Sequence, residues 1–308
     1  MRRRGERAHA LMRRGDAAGA QAALEDALAL SRRAFGETSP LTIALLNNMI
    51  EVHRARGAYD AAREQGEETV ETARRELGED HPLTLMATNN LALALRLLGD
   101  PAAARPMHEE EFAASRRVRG ERHPETLASK LNLAACLAET GDLDAGRALC
   151  EEALSDLREV RGPAHPETLT AANNLSVILL EQKDLDAAQA LCERLVADSA
   201  RELGGDHPDT LTARNTLGTI LYLRGEIDRA REAVEDLVED CRRVLGESHP
   251  TTLTVLDNLV HVRHAQDDHD GARMLMEEVL AESRRVLGDD HPQTRLRAEK
   301  LAELSEDG

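Results

Sequence analysis

The stretch His207-Pro208-Asp209-Thr210-Leu211 decides the fold, because close copies of it recur along the chain with a step of 42 residues. Self-similarity at a period of roughly 20 to 50 residues is typical of solenoid architectures. The dipeptide His-Pro begins at His81, His123, His165, His207, His249 and His291, with Ser39-Pro40 one period earlier. A threonine follows each proline by two residues, and a glycine precedes each histidine or serine by three. The sequence is therefore predicted to be an array of repeated units.

Each unit has the signals of a helix–turn–helix hairpin. Pro82 suits a first helical position, since the N–H that proline lacks would be unpaired there. Leucines follow at helical spacing, and Gly99 tolerates the positive φ that commonly ends a helix. Asp100-Pro101 then caps and starts a second helix, in which Ala104 is small enough for the two helices to approach closely.

Three features vary this pattern. Lys183 and Asp267 replace the glycine between the two helices in their units. Pro106 falls inside a predicted second helix, where it removes one backbone hydrogen bond, so we expect a local irregularity there. Arginines recur in the last turn of the second helices, where a cation favours the negative end of the helix dipole.

The composition limits the possible functions. Of 308 residues, 41% are hydrophobic but only 1% are aromatic, which indicates an aliphatic helical core. The net charge of −18 disfavours nucleic acid and anionic membranes as partners, because both require a basic face. The basic N-terminal segment has no apolar stretch of a secretory signal, and no apolar run is long enough to span a membrane. We therefore expect a cytoplasmic protein whose four cysteines are reduced and buried.

The sequence predicts no catalytic chemistry, no metal site and no cofactor. One histidine per unit leaves neighbours separated by about 10 Å, the packing distance of helices, whereas zinc ligands converge at about 2 Å from one ion. His261, His264 and His269 lie closer together. Adventitious metal binding fits them, but a solvated position or a role in a binding groove is favoured. Nucleotide-binding and nucleophile motifs do not occur, so we expect a protein that is not an enzyme.

The chain resembles a tetratricopeptide repeat (TPR) array of the 42-residue, kinesin-light-chain-like subclass, of bacterial type. The resemblance is carried by the HPxTL start at His207, by Asn173-Asn174-Leu175 in a first helix, by the glycine between helices, and by Leu245-Gly246-Glu247-Ser248-His249-Pro250. It implies an all-α fold: an α-solenoid of stacked hairpins wound into a right-handed superhelix. The expected single domain spans 1–308 as an N-terminal unit 1–39, units 40–81, 82–123, 124–165, 166–207, 208–249 and 250–291, and a C-terminal capping helix 292–304.

The same resemblance implies a concave groove, lined by the first helices, that holds an extended peptide. Asparagines of this groove often contact the peptide backbone, although their amides can equally support neighbouring helices. Arginines nearby could bind a carboxylate, and a tyrosine ring could stack on an apolar side chain. The predicted groove residues are Asn47, Asn48, Arg54, Asn89, Asn90, Arg96, Asn132, Asn173, Asn174, Asn215, Tyr222, Asn258 and His261.

Three functions remain open at this point. The first is a non-catalytic scaffold that binds a protein or peptide partner in the groove. The second is a regulatory or sensor array whose effector domain is lost or separate. The third is a structural repeat that associates weakly with itself through its ends, which the polar C-terminal helix disfavours.

Overall fold

The computed structural model describes residues 8, 10–12 and 16–306. Residues 16–306 form fourteen α-helices and no strand, as the repeat predicts. None of these helices combines the length and the apolar character needed to cross a membrane. The helices are α1 (Ala17–Phe35), α2 (Pro40–Ala55), α3 (Tyr59–Leu77), α4 (Pro82–Leu97), α5 (Pro101–Arg119), α6 (Pro124–Glu139), α7 (Leu143–Arg161), α8 (Pro166–Glu181), α9 (Leu185–Leu203), α10 (Pro208–Leu223), α11 (Ile227–Leu245), α12 (Pro250–Ala265), α13 (His269–Leu287) and α14 (Pro292–Glu306).

The periodic histidines cap the first helices. The Nδ1 atom of His81 accepts a hydrogen bond of 3.1 Å from the backbone N–H of Leu83, and five further histidines make the same bond at 3.2 Å. Because this Nδ1 accepts, the ring must carry its proton on Nε2. Each first helix therefore begins at the proline where its predicted unit begins.

The periodic threonines hold the linker between units. The hydroxyl of Thr84 donates to the carbonyl of Gly78 at 2.7 Å, and Thr168, Thr210 and Thr252 bond equivalent glycines at 2.8 to 2.9 Å. Gly78 follows the last residue of α3 with a φ of 91°, a conformation that side chains rarely adopt. The threonine thus ties the end of one hairpin to the start of the next.

The turn between the two helices of a hairpin also needs positive φ. Gly99 has a φ of 82°, and Lys183 and Asp267 adopt 61° and 62° at the same position in their repeats. A residue with a Cβ is strained in this region by about 1 kcal/mol, less for aspartate than for lysine. These two turns therefore carry strain that the glycine-containing turns avoid.

Pro106 does not interrupt its helix, contrary to the expected irregularity. The helix α5 runs without a break from Pro101 to Arg119. Pro106 and Ala102, whose carbonyl would have received the missing hydrogen bond, are both exposed. Water can bond that carbonyl, which explains why the helix tolerates the proline.

The described chain forms two compact units, Met1–Gly146 and Arg147–Gly308, and the division falls inside α7. In the first unit, α1 to α6 pack as consecutive neighbours around an aliphatic core that includes Leu24, Ile43 and Ile50. Ala62 and Ala104 are fully buried, which confirms the close approach of paired helices predicted from the small residue.

In the second unit, α8 to α14 pack in the same consecutive manner. Its core is built from residues such as Leu211, Leu237 and Met276. The last helix, α14, carries the buried Arg297, which binds the carboxylate of Asp257 at 2.7 Å and the hydroxyl of Ser283 at 2.8 Å. The last described helix runs from Pro292 to Glu306, whereas the expected capping helix is 292–304. The expected N-terminal helix lies mostly outside the described residues.

The four cysteines are free and buried, as predicted. Burial raises the pKa of Cys150 to about 12 and that of Cys241 to about 11. It also raises the pKa of Cys136 and Cys192. These thiols are therefore protonated packing residues in the folded protein.

The first-helix faces as the candidate binding surface

The first helices of neighbouring repeats lie side by side within each unit. In the first unit α2 packs on α4, and in the second α10 packs on both α8 and α12. The surface that these helices form is called here the first-helix face of each unit. All the predicted groove residues belong to first helices, and each first helix from α2 to α12 has at least one asparagine at the two equivalent positions.

An amide ladder links adjacent first helices. The side-chain amide of Asn132 donates to Asn89 at 2.8 Å, and that of Asn258 donates to Asn215 at 2.8 Å. Thr216 takes the place of the second asparagine in its repeat, and its hydroxyl donates to Asn173 at 2.5 Å. Each bond joins residues 43 positions apart. The residue at the second Asn-Asn position of one repeat therefore donates to the residue at the first Asn-Asn position of the preceding repeat. The ladder sets the spacing of the first helices and occupies part of these amides.

The remaining predicted asparagines fall into two groups. Asn47 is fully buried, and its amide donates to the carbonyl of Leu83 at 3.3 Å, so it does not lie on the surface. Asn90 is only 4% exposed. Asn48 and Asn174 are half-buried, and the described residues provide no hydrogen-bond partner for either side chain. A ligand would find free amide groups at Asn48 and Asn174, not at Asn47.

The two predicted arginines differ in their partners. Arg96 forms a two-point ion pair with Glu139, with its Nε 2.7 Å from one carboxylate oxygen. The equivalent partner of Arg54, 43 residues further on, is Leu97, which is 47% exposed. Arg54 therefore has no ion-pair partner among the described residues, and its buried Nε makes no hydrogen bond. Burial lowers the pKa of Arg54. The carboxylate of Glu51 raises this pKa in part, and the positive charge of Arg96 lowers it.

The predicted aromatic residues of the second unit lie together. The rings of Tyr222 and His261 have centroids 6.2 Å apart and are tilted by 50°. Burial lowers the pKa of His261, and Lys300 adds to this effect. Both rings are half-buried beside a cavity between α10 and α12.

The other histidines of the cluster pair separately from His261. The Nδ1 atoms of His264 and His269 are 3.1 Å apart, and their rings meet edge to face. Across the described part of the chain, no three His, Cys, Asp or Glu side chains are arranged to hold a metal ion.

Family models for the tetratricopeptide repeat match almost the whole sequence. One model matches residues 4–71, 41–117, 89–145, 125–197 and 170–243, and a second matches residues 252–293. The chain belongs to the tetratricopeptide repeat family. The TPR α-solenoid inferred from the 42-residue period is thus confirmed. No protein of curated function matches the sequence.

Three solved structures illustrate the similarity. A putative kinesin light chain with TPR-like repeats from Podosopora anserina is 23% identical, with a TM-score of 0.57 over 64% of this chain and 93% of its own. BtubC (BKLC) from P. vanneervenii is 21% identical, with a TM-score of 0.58 over 74% of this chain and 94% of its own. NprR, solved in complex with its cognate peptide NprX, is 13% identical, with a TM-score of 0.58 over 79% of this chain and 68% of its own. At these identities the similarity establishes a shared fold.

Proposed function

We propose that this TPR protein is a non-catalytic scaffold that binds an extended peptide, or an extended segment of a protein partner, on its first-helix faces. The observation that carries the proposal is the set of unpaired polar groups on an otherwise regular surface. Asn48, Asn174 and Arg54 have no side-chain partner among the described residues. At equivalent positions of other repeats, Asn132, Asn258 and Arg96 are paired. NprR, which shares the fold, was solved with a bound peptide.

The chemistry of these groups matches an extended peptide. A side-chain amide can donate to a peptide carbonyl and accept from the next N–H, which reads the backbone without reading its sequence. Arg54 can form the two-point pair with a ligand carboxylate that Arg96 forms with Glu139. We therefore expect a segment with an acidic side chain, or a C-terminal carboxylate, over the first unit.

We also propose a cytoplasmic location. The support is the four buried thiols, which form no disulfide and suit a reducing compartment.

Random-peptide display on the immobilised protein tests the proposal. We expect enriched peptides whose affinity falls at least tenfold in Arg54→Glu or Asn174→Ala. The matched controls place the same changes on second helices: Arg63→Glu on α3 and Gln189→Ala on α9. Controls that bind as wild type would support the first-helix faces.

Two outcomes would contradict the proposal. One is the failure of a correctly folded protein to enrich any peptide. The other is an enriched peptide whose affinity depends on Arg63 or Gln189 and not on Arg54 or Asn174, since the binding surface would then be on the second helices.

A further inference from the structure

A cavity of about 200 Å³ opens between α10 and α12 in the second unit. Its interior is formed by Gly218, Val234 and Val262, which are buried. Its rim is formed by the half-buried side chains of Tyr222, Asn258 and His261. The cavity therefore lies on the first-helix face, directly beside one rung of the amide ladder.

Gly218, which lines the cavity, is the one residue without a side chain at its position in the repeats. The positions equivalent to Gly218 in other repeats are Ile50, Ala92, Ala134, Ser176 and Val260. Gly218 lies inside a helix with ordinary helical φ, where glycine is less favourable than alanine. A Cβ at this position would lie 2.8 Å from a methyl group of Val234. Val234 thus enters part of the space that the missing side chain leaves, and the rest remains open.

The lining is apolar and uncharged near neutral pH. Val234, Val262 and the two rings provide most of the wall. The side-chain amide of Asn258 at the rim already donates hydrogen bonds to Asn215 and Thr219. His261 is neutral at pH 7, because burial and Lys300 lower its pKa from the usual 6.5. Such a lining favours an apolar side chain over a charged one.

The size fits a single bulky group. A dry apolar cavity of about 150 Å³ in another protein binds benzene, so 200 Å³ is enough for a phenyl ring or a leucine side chain. Aromatic rings attract each other in edge-to-face contacts at centroid distances of about 5 to 7 Å. Tyr222 and His261, tilted against each other at the rim, can each offer such a contact.

We propose that this cavity is a specificity pocket, which holds one phenyl-sized apolar side chain of the bound segment while the neighbouring amides hold its backbone. The inference rests on the proposed function, because it names which residue type the second unit selects. It predicts that segments without a bulky apolar residue bind the second unit weakly.

Methyl NMR tests the pocket without a known partner. The probe is N-acetyl-L-phenylalanine methylamide, and the comparison probe is the alanine analogue. We expect the phenylalanine probe to shift the methyl signals of Val234 and Val262 with saturation in the millimolar range, and the alanine probe to leave them unchanged. In Gly218→Val, which copies the residue at position 260, affinity for the phenylalanine probe should fall at least tenfold.

Two further variants separate filling from unfolding. Gly218→Ala copies Ala92 and Ala134, so it should keep the fold and weaken the probe at least threefold. Gly205→Ala adds the same methyl group where no atom lies within 4 Å, so it should bind as wild type. Absence of saturable shifts at Val234 and Val262, or equal binding by wild type and both Gly218 variants, would overturn the pocket.

The outcome is distinguishable from failure of the proposed function. If display enriches peptides that depend on Asn174 but the phenylalanine probe does not bind, the pocket is wrong and the scaffold stands. If the probe binds at Val234 and display enriches no peptide, the cavity accepts a phenyl group, but the proposed function is wrong and so is the role of the pocket in selecting peptides.

Discussion

Replacement of His108 by leucine is expected to stabilise the protein. His108 on α5 is fully buried, and neither of its ring nitrogens has a hydrogen-bond partner. The equivalent position in other repeats is apolar or small, as in Leu24, Cys150 and Met276. A buried polar group without a partner destabilises the folded state by about 1 to 3 kcal/mol, which leucine would remove. Imperfect packing of the leucine side chain would reduce this gain by up to about 1.5 kcal/mol. We expect His108→Leu to raise the free energy of unfolding by about 1 kcal/mol at pH 7.5.

The gain should increase in acid. Burial, with a contribution from Arg96, lowers the pKa of His108 from 6.5 to about 4. Below pH 6.5 the unfolded chain takes up a proton that the folded chain excludes, so wild type loses stability as the pH falls toward 4. A pKa of about 4 in place of 6.5 corresponds to about 3 kcal/mol. The difference between His108→Leu and wild type should therefore widen by about 3 kcal/mol between pH 7.5 and pH 4.

Urea unfolding followed by circular dichroism at both pH values measures this difference. Cys150→Leu is the matched control, because it places leucine at the equivalent position of the next repeat, where a buried, protonated thiol is already present. It should give no gain and no added pH dependence. If the stability difference between His108→Leu and wild type does not change with pH, the ring of His108 is not buried and neutral. If His108→Leu is less stable than wild type at pH 7.5, the ring nitrogens of His108 have hydrogen-bond partners after all.

Three further predictions follow from the turns, the unpaired arginine and the thiols. Lys183→Gly and Asp267→Gly should each raise the thermal midpoint by relieving positive φ, with a gain of about 0.5 to 1 kcal/mol that is larger for lysine; equal or lower midpoints would contradict the strain. Leu97→Glu should create the missing partner of Arg54 and stabilise by about 0.2 to 1 kcal/mol in a salt-sensitive way. If that gain persists in an Arg54→Met background, no such ion pair forms. Ellman's reagent should leave the four buried cysteines unmodified within minutes in the native protein and react with all four in denaturant; rapid native reaction would show that the thiols are accessible.

The sequence predicts the local structure of each repeat well, because caps and turns depend on neighbouring residues. The His-Pro start identifies the N-terminus of each first helix, and the glycine series identifies the turns. The irregularity expected at Pro106 was wrong, since a sequence pattern does not tell whether the freed carbonyl faces water.

Contacts between repeats were harder to predict. The sequence predicts that the arginine of the last turn interacts with the helix dipole, whereas in the structure Arg243 binds the carboxylate of Asp206 in the preceding linker at 2.8 Å. The departure of Asp257 from the asparagine pattern is explained by the buried Arg297, which it pairs with 40 residues away. Asparagines 43 positions apart were a usable signal for the ladder. Gly218 alone was a weaker indication of the pocket, because the space left there depends on how far the side chain of Val234 enters it.

The position of a bound peptide tests the central claim most directly. A crystal structure of the protein with a display-selected peptide measures which helices it touches. We expect an extended chain across first helices, with backbone hydrogen bonds to an asparagine such as Asn174 or Asn48. A peptide that lies against second helices such as α9 or α11, with the first-helix faces open to solvent, would contradict it.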